Sequence, residues 1–429
     1  LHVEVSRPTA DVAEARVLSD VATKYVLEAI NADAYAATLT GYTYELTTSE
    51  RGFDIQVHGF SHKIGALLAT LCTALSSLAK APADGPTLRR VLTEYELRLR
   101  NACFAASDLA IDERLRCLEP GWLTAADRLG ALPAATPDRV SAHIANCLAG
   151  GVQLSAYAGG NLDVQQARAI FDTAHRALGS PPPLEPLPPL RRCARLSAGN
   201  AVRRVIGKNP ADENCAVDLY WQLGLAAVES GGEAALSARL TLLEHLMYEP
   251  LFDELRTKQQ LGYTVSCSAR HTQGALGFMI SVVSQSHTPP DIERRALEFV
   301  RGYVDTLRAM PPAEYARNVQ AAVANRLLAD KTIEDEATRF WFEIDERTYR
   351  FGRAEEEATA MRSTTQADLA DWAESNLLSA DARRLSVVVR PGAASEAAEE
   401  EAASGEAVDD PSTFAKSLPP HPRKENPLP

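Results

Sequence analysis

Arg256 and Tyr263, seven positions apart in a chain of 429 residues, are the side chains best placed to do chemistry. A guanidinium and a phenol can both donate hydrogen bonds to one peptide carbonyl, and both bonds strengthen as that oxygen gains negative charge. The pair lies in the run Glu249–Tyr263, which reads as helix, turn and strand. In the helix, from about Glu249, Leu251 and Leu255 form an inward stripe while Phe252 and Arg256 share the adjacent one. Gly262 then lets the chain leave the helix, as a glycine just past a helix end does. Tyr263 opens a strand that puts Tyr263, Val265 and Cys267 on one sheet face. The competing reading makes Arg256 a helix-end salt bridge and Tyr263 a half-buried strand aromatic, and bare spacing favours it.

Other reactive-looking runs are poorer. His58 and His62 have the spacing of a metal pair, but Ser61 stands where an acid is needed and Gly59 lies in a stretch that reads as strand. Zinc needs three or four convergent ligands. His245 to Glu249 suits core packing, with the imidazole held by a hydrogen bond. Gly159-Gly160-Asn161 reads as a turn, since no phosphate-loop continuation follows. No serine has a G-x-S-x-G context, and Cys267 has no evident base. Phe340, Trp341, Phe342 and Ile344 read as core and domain-interface packing. Lys331 to Glu336 reads as a solvated helix start with acids at the positive dipole end.

The elements that must position these residues occur twice. Val3-Glu4-Val5, Gly41-Tyr42-Thr43-Tyr44, Gly52 to Val57 and Glu94-Tyr95 return in order as Val217-Asp218-Leu219, Gly262-Tyr263-Thr264-Val265, Gly277 to Val282 and Glu314-Tyr315, at offsets near 220 positions. The Glu-Tyr pairs are read as opening later helices. The chain is therefore expected to be α+β, with two duplicated domains, each an antiparallel-rich sheet covered by helices on one face. The first domain spans 1–179 and the second 191–391, joined by the proline-rich linker 180–190, an extended, stiff strap. In the second copy, helices are expected over about Pro290 to Arg308 and Pro312 to Arg347, with a closing strand at Leu385–Val389. Residues 392–429 form an acidic linker and tail; Pro391 to Asp410 reads as disordered or loosely held, and Phe414 and Leu418 dock the tail.

Composition narrows the function. With 45% hydrophobic residues the chain can bury large cores. A net charge of −13 and a pI near 5.3 argue against an electrostatic grip on nucleic acid or an anionic membrane, and suit peptides, basic ones above all. Seven cysteines without C-x-x-C spacing cannot all pair, which fits reduced thiols and a cytoplasmic protein. No apolar run is long enough to span a membrane. A start inside an expected strand is what an N-terminally truncated product would show, so the missing leader is weak evidence of location.

The block Glu249–Tyr263 resembles the substrate-clamping segment of the insulin-degrading enzyme (insulysin) and pitrilysin family of zinc metallopeptidases, peptidase family M16. Asn214 to Tyr220, Gly160-Asn161, Phe340 to Ile344 and Thr413 to Pro419 add to the resemblance, which covers almost the whole chain. It implies the insulysin-like fold and the C-terminal half of a clamshell metalloendopeptidase. By that resemblance Arg256 and Tyr263 reach the scissile carbonyl of a peptide substrate and Phe252 lines a specificity pocket. The Zn²⁺ of the full-length enzyme, held by an H-x-x-E-H helix and a distal Glu, would have no ligand in this chain, because no such run is present. The partners implied are peptide substrates and an N-terminal catalytic half or catalytic subunit, with no nucleic acid or membrane; self-association stays open. The alternative is a non-catalytic homologue that binds or scaffolds beside a catalytic subunit.

Overall fold

The computed structural model describes residues 1–6, 11–223, 232–392 and 405–423. They fall into two compact units, each built from more than one stretch of chain. The first comprises Leu1–Ala102, Leu123–Pro189 and Asp330–Asp345; the second comprises Cys103–Trp122, Leu190–Ala329 and Glu346–Pro429.

In the first unit, strands β1 (His2–Val5), β2 (Thr43–Thr48), β3 (Gly52–His58) and β4 (Val152–Ser155) form an antiparallel sheet in the order β2-β3-β1-β4. Val3, Leu46, Phe53 and Ile55 are buried with Val21, Leu71 and Leu75 of the helices Val12–Leu39 and Ser61–Leu78. Asp11 caps the first helix by accepting the Glu14 N–H at 3.0 Å, which satisfies one of the amides a helix start leaves unpaired. At Gly52 a Cβ would lie 1.9 Å from the Val3 carbonyl oxygen, so only glycine lets β3 approach β1 there.

The second unit holds β5 (Gly199–Ile206), β6 (Cys215–Gln222), β7 (Thr264–Thr272), β8 (Ala275–Ser284), β9 (Arg383–Arg390) and β10 (Glu406–Ala407), in the order β10-β5-β9-β6-β8-β7. The path β7-β8-β6-β9 repeats β2-β3-β1-β4, and β5 and β10 extend it with parallel pairings. The fold is α+β with antiparallel-rich sheets, as the repeated motifs imply.

Strand β6 is buried along its whole length. Val217, Leu219 and Trp221 pack with Leu243, Met247 and Val300 of the helices Gly232–Leu251 and Pro289–Ala309. Its other face, with Ala216 and Tyr220, packs with Leu109, Leu118 and the tail residue Phe414. Helices on one face only is thus corrected for this unit: the helices Ala106–Leu118 and Pro411–Ser417 cover the second face, because β6 carries apolar residues on both sides.

Several boundaries also differ from expectation. Glu94 and Tyr95 lie well inside the helix Gly85–Arg100 rather than opening it. The expected Pro312 to Arg347 helix is two, Pro312–Arg326 and Ile333–Asp345. Asp335 explains the restart: its carboxylate accepts the Lys331 and Thr332 amides while the Thr332 hydroxyl accepts the Asp335 amide, closing a new N-terminus. The proline-rich stretch is anchored at its start, since Val152 exchanges backbone hydrogen bonds with Pro182 and Leu184. Most of the acidic linker, 393–404, lies outside the described residues. Its end is ordered, because Glu406 and Ala407 pair with Ala201 and Val202 and Val408 is buried.

The second face also buries a charge pair. Asp218 accepts the Ser281 hydroxyl at 2.6 Å and lies 3.8 Å from Arg114 Nε, whose guanidinium stands over the Tyr220 ring. Burial pushes the Asp218 carboxyl above its ordinary range. Removing one partner strands the other, so Asp218→Ala should cost about 3–5 kcal/mol in urea unfolding. A loss below about 1 kcal/mol, the scale of a solvated pair, would contradict this packing.

Candidate functional site

Leu251, Leu255 and Leu261 anchor the block that carries Arg256 and Tyr263; all three are fully buried. The helix starts at Gly232, not near Glu249, and contains Pro250 one residue before its end. Proline cannot donate to the carbonyl four residues back and its ring crowds that carbonyl. The next seven residues, Phe252–Lys258, form a π-helical turn. That wider turn keeps Leu255 inward and carries Arg256 to the strand entrance. Pro250 was the sequence signal for it.

The exit differs as well. The residue at positive φ is Gln260, at 52°, while the Leu261 amide bonds the Leu255 carbonyl at 2.8 Å. Gly262 serves another purpose: a Cβ there would lie 2.1 Å from the Val283 carbonyl oxygen, so it is close approach to β8, not a left-handed turn, that demands glycine. Tyr263 precedes β7 and is 86% exposed, whereas Val265 and Cys267, two and four residues further on, are buried.

Arg256 and Tyr263 come together. Arg256 Nε donates to the Tyr263 carbonyl at 3.1 Å, and the guanidinium carbon lies 5.6 Å from the ring centroid. A cation–π contact at such an exposed place contributes about 0.5–1 kcal/mol, enough to bias the rotamers of both side chains. The helix-end ion pair belongs to Lys258 instead, with Asp253 at 2.9 Å and Glu254 at 3.3 Å. Gln259 and Lys258 hold the Glu254 carboxyl below its ordinary range. Neither Nη of Arg256 nor the Tyr263 hydroxyl has a partner among the described residues, so three donors stay available. Phe252, 40% exposed, opens the π turn and takes no part in the Arg256–Tyr263 contact.

The remaining candidates are dispersed. His58 ends β3 with Nδ1 3.9 Å from Glu334, and His62 lies in the first turn of the following helix. Among the described residues no three His, Cys, Asp or Glu side chains converge as metal ligands, so the residues here do not fit a zinc site. His245 is half-buried and has no hydrogen-bond partner among the described residues, contrary to expectation. Burial raises the thiols of Cys72, Cys117, Cys193 and Cys267 to about 12, which removes them as nucleophiles near neutrality. A buried Ser19–His143 contact of 2.8 Å, with Cys147 3.7 Å from the same imidazole, was not foreseen; it is sealed from substrate.

The first unit also has a cavity of about 360 Å³ between β3 and the helix Ile333–Asp345. Ile64, Ile170, Ile333 and Trp341 line it with Tyr157. Trp341 is thus a half-buried cavity wall rather than core, and the Phe340 ring lies 5.6 Å from that of Tyr157, tilted by 33°. The Gly159-Gly160 turn, with Gly160 at φ +107°, borders the same space.

Residues 2–129 match the family described as the middle or third domain of peptidase M16, and residues 242–341 match the PQQ synthase PqqF-like C-terminal lobe domain 4. The peroxisomal insulin-degrading enzyme-like 1 of Arabidopsis thaliana is 25% identical over 88% of this chain and 39% of its own length. The crystal structure of pitrilysin shares the fold with a TM-score of 0.82, at 18% identity over 97% of this chain and 43% of that one. A structure titled peptidase M16 inactive domain, from Pseudomonas fluorescens, shares it at 0.65 and 16% identity, over 91% of each chain. The architecture is that of an M16-type lobe. These matches support an insulysin-like member of the peptidase M16 family, this chain being similar to the C-terminal half of such proteins. It spans less than half the length of the curated relatives it matches.

Two substitutions separate the roles of the turn residues. Gly262→Ala forces a backbone shift and should lower stability by about 1–3 kcal/mol. Gln260→Gly relieves a left-handed residue and should change stability by no more than about 1 kcal/mol, in the favourable direction. Thermal unfolding giving the opposite order would overturn this account of the exit.

Proposed function

We propose that this chain is the substrate-binding half of an insulysin-like zinc metalloendopeptidase, and that Arg256 and Tyr263 stabilise the scissile carbonyl of a bound peptide. The observation that carries this is the pair's geometry: Arg256 is tethered through Nε to the Tyr263 backbone, while its Nη groups and the phenol hydroxyl keep their donors unspent. Donors fixed before reaction gain most where charge develops, because nothing must reorganise when the carbonyl becomes an oxyanion. Phe252 is proposed to contact a substrate side chain beside the pair. Zinc and the general base are assigned to residues of an N-terminal half outside this chain. Closure of the halves would exclude water and admit only short or flexible polypeptides.

The duplicated domains 1–179 and 191–391, with the segment 180–190 between them and 392–429 as tail, belong to the same proposal as units of descent. A cytoplasmic location is proposed from the cysteines, none of the seven being in a disulfide among the described residues. The second reading, a non-catalytic subunit that binds beside a catalytic one, is favoured by one finding, the likeness in length and fold to a domain titled inactive. An H-x-x-E-H run with a distal Glu in the coding sequence upstream of Leu1 would decide for the first reading.

In the full-length protein, Tyr263→Phe should lower kcat about tenfold to a thousandfold without altering metal content. Arg256→Ala should reduce both peptide affinity and turnover. Unchanged hydrolysis in both variants would refute the assignment.

A further inference from the structure

One exposed aromatic side chain is ordinary, but a line of them leading to a proposed site is not. Tyr248 and Phe252, four positions apart on the helix that carries Arg256, are 43% and 40% exposed. The core does not claim them, since the same helix buries Leu243, Met247 and Leu251 on its other side.

Local geometry puts these rings in register with Arg256. Side chains four apart in an α-helix are neighbours about 6 Å apart along the axis, and they drift by about 40° around it. From Phe252 onward the turn is π-helical, with more than four residues per turn, so the next four residues fall short of a full circle and take that drift back. Tyr248, Phe252 and Arg256 therefore share one stripe, which ends at the paired donors.

Carboxylates flank the rings. Glu249 and Asp253 are both exposed and also four apart. Asp253 is paired with Lys258 at 2.9 Å, whereas neither Glu249 nor the Tyr248 hydroxyl has a partner among the described residues. A ring beside an unspent carboxylate complements a Lys or Arg side chain: the ring face attracts the cation and packs on its methylenes, while the carboxylate accepts its N–H groups. Arg256 stands about 12 Å further along the axis, beyond the screening length of physiological salt, so its charge does not bar a cation here.

We infer that Tyr248 and Glu249 form a subsite for a Lys or Arg side chain of the bound peptide. The inference rests on the peptide-binding role proposed above and names the substrate class, basic peptides. An extended peptide advances about 3.3 Å per residue, so the selected side chain lies about three or four residues from the scissile bond. Phe252 lies midway and meets a side chain between the two.

Hydrolysis by the full-length protein of peptides of about twelve residues, carrying arginine or its neutral isostere citrulline at each position in turn, tests this. The expected result is a kcat/KM at least roughly threefold higher for arginine than for citrulline at one position about three or four residues from the cleaved bond. Glu249→Gln should bring that ratio to about one and Glu249→Lys should invert it, changes that a merely structural role for the helix would not produce. Tyr248→Ala should lower it as well. No arginine preference at that distance, or one that survives Glu249→Gln, would overturn the subsite; the donor pair still stands if Tyr263→Phe slows every peptide. If no peptide is cut, the peptidase reading fails, and the subsite is decided by binding to this chain, where equal affinity for the arginine and citrulline peptides overturns it.

Discussion

The contact on which the site depends is the hydrogen bond from Arg256 Nε to the Tyr263 carbonyl, with the ring beneath the guanidinium. It bridges a helix end and a strand start that the buried leucines fix in space. Without the widened turn after Pro250 the arginine would sit elsewhere on the helix, and without glycine at 262 the chain could not pass so close to Val283. A bond costing one of the guanidinium's donor groups thereby orients the others.

The rest of the second unit serves that placement. A central strand buried on both sides is held by helices on each face, so the sheet that carries β7 and β8 is anchored along its interior. The first unit repeats the four-strand path without the Arg–Tyr pair. Its distinctive features are the apolar cavity beside Trp341 and a histidine pair that gathers no third ligand among the described residues. Duplication of a scaffold followed by divergence of its strand ends accounts for one stable architecture carrying different surface chemistry.

Much of this was legible in the residues. Strand repeats at near-constant spacing gave the fold class because β alternation and sheet order are local consequences of burial pattern. Arg256 and Tyr263 stood out because both can donate to one peptide carbonyl and because the block that carries them resembles the substrate-clamping segment of the insulysin family; bare spacing alone favoured a structural role. The exit geometry was not legible: a glycine after a helix suggests a left-handed cap, yet Gln260 takes that conformation and Gly262 answers a carbonyl contributed by another strand, a tertiary constraint absent from local sequence. The two-faced sheet was missed for the same reason, since the helix Ala106–Leu118 that covers it lies far from β6 in the chain.

The most direct test of the central claim is a double-mutant cycle on peptide hydrolysis by the full-length protein, combining Arg256→Lys with Tyr263→Phe. If the two side chains act as one preorganised donor set, their effects will be non-additive by at least about 1 kcal/mol. Strict additivity would show two independent residues and contradict the account.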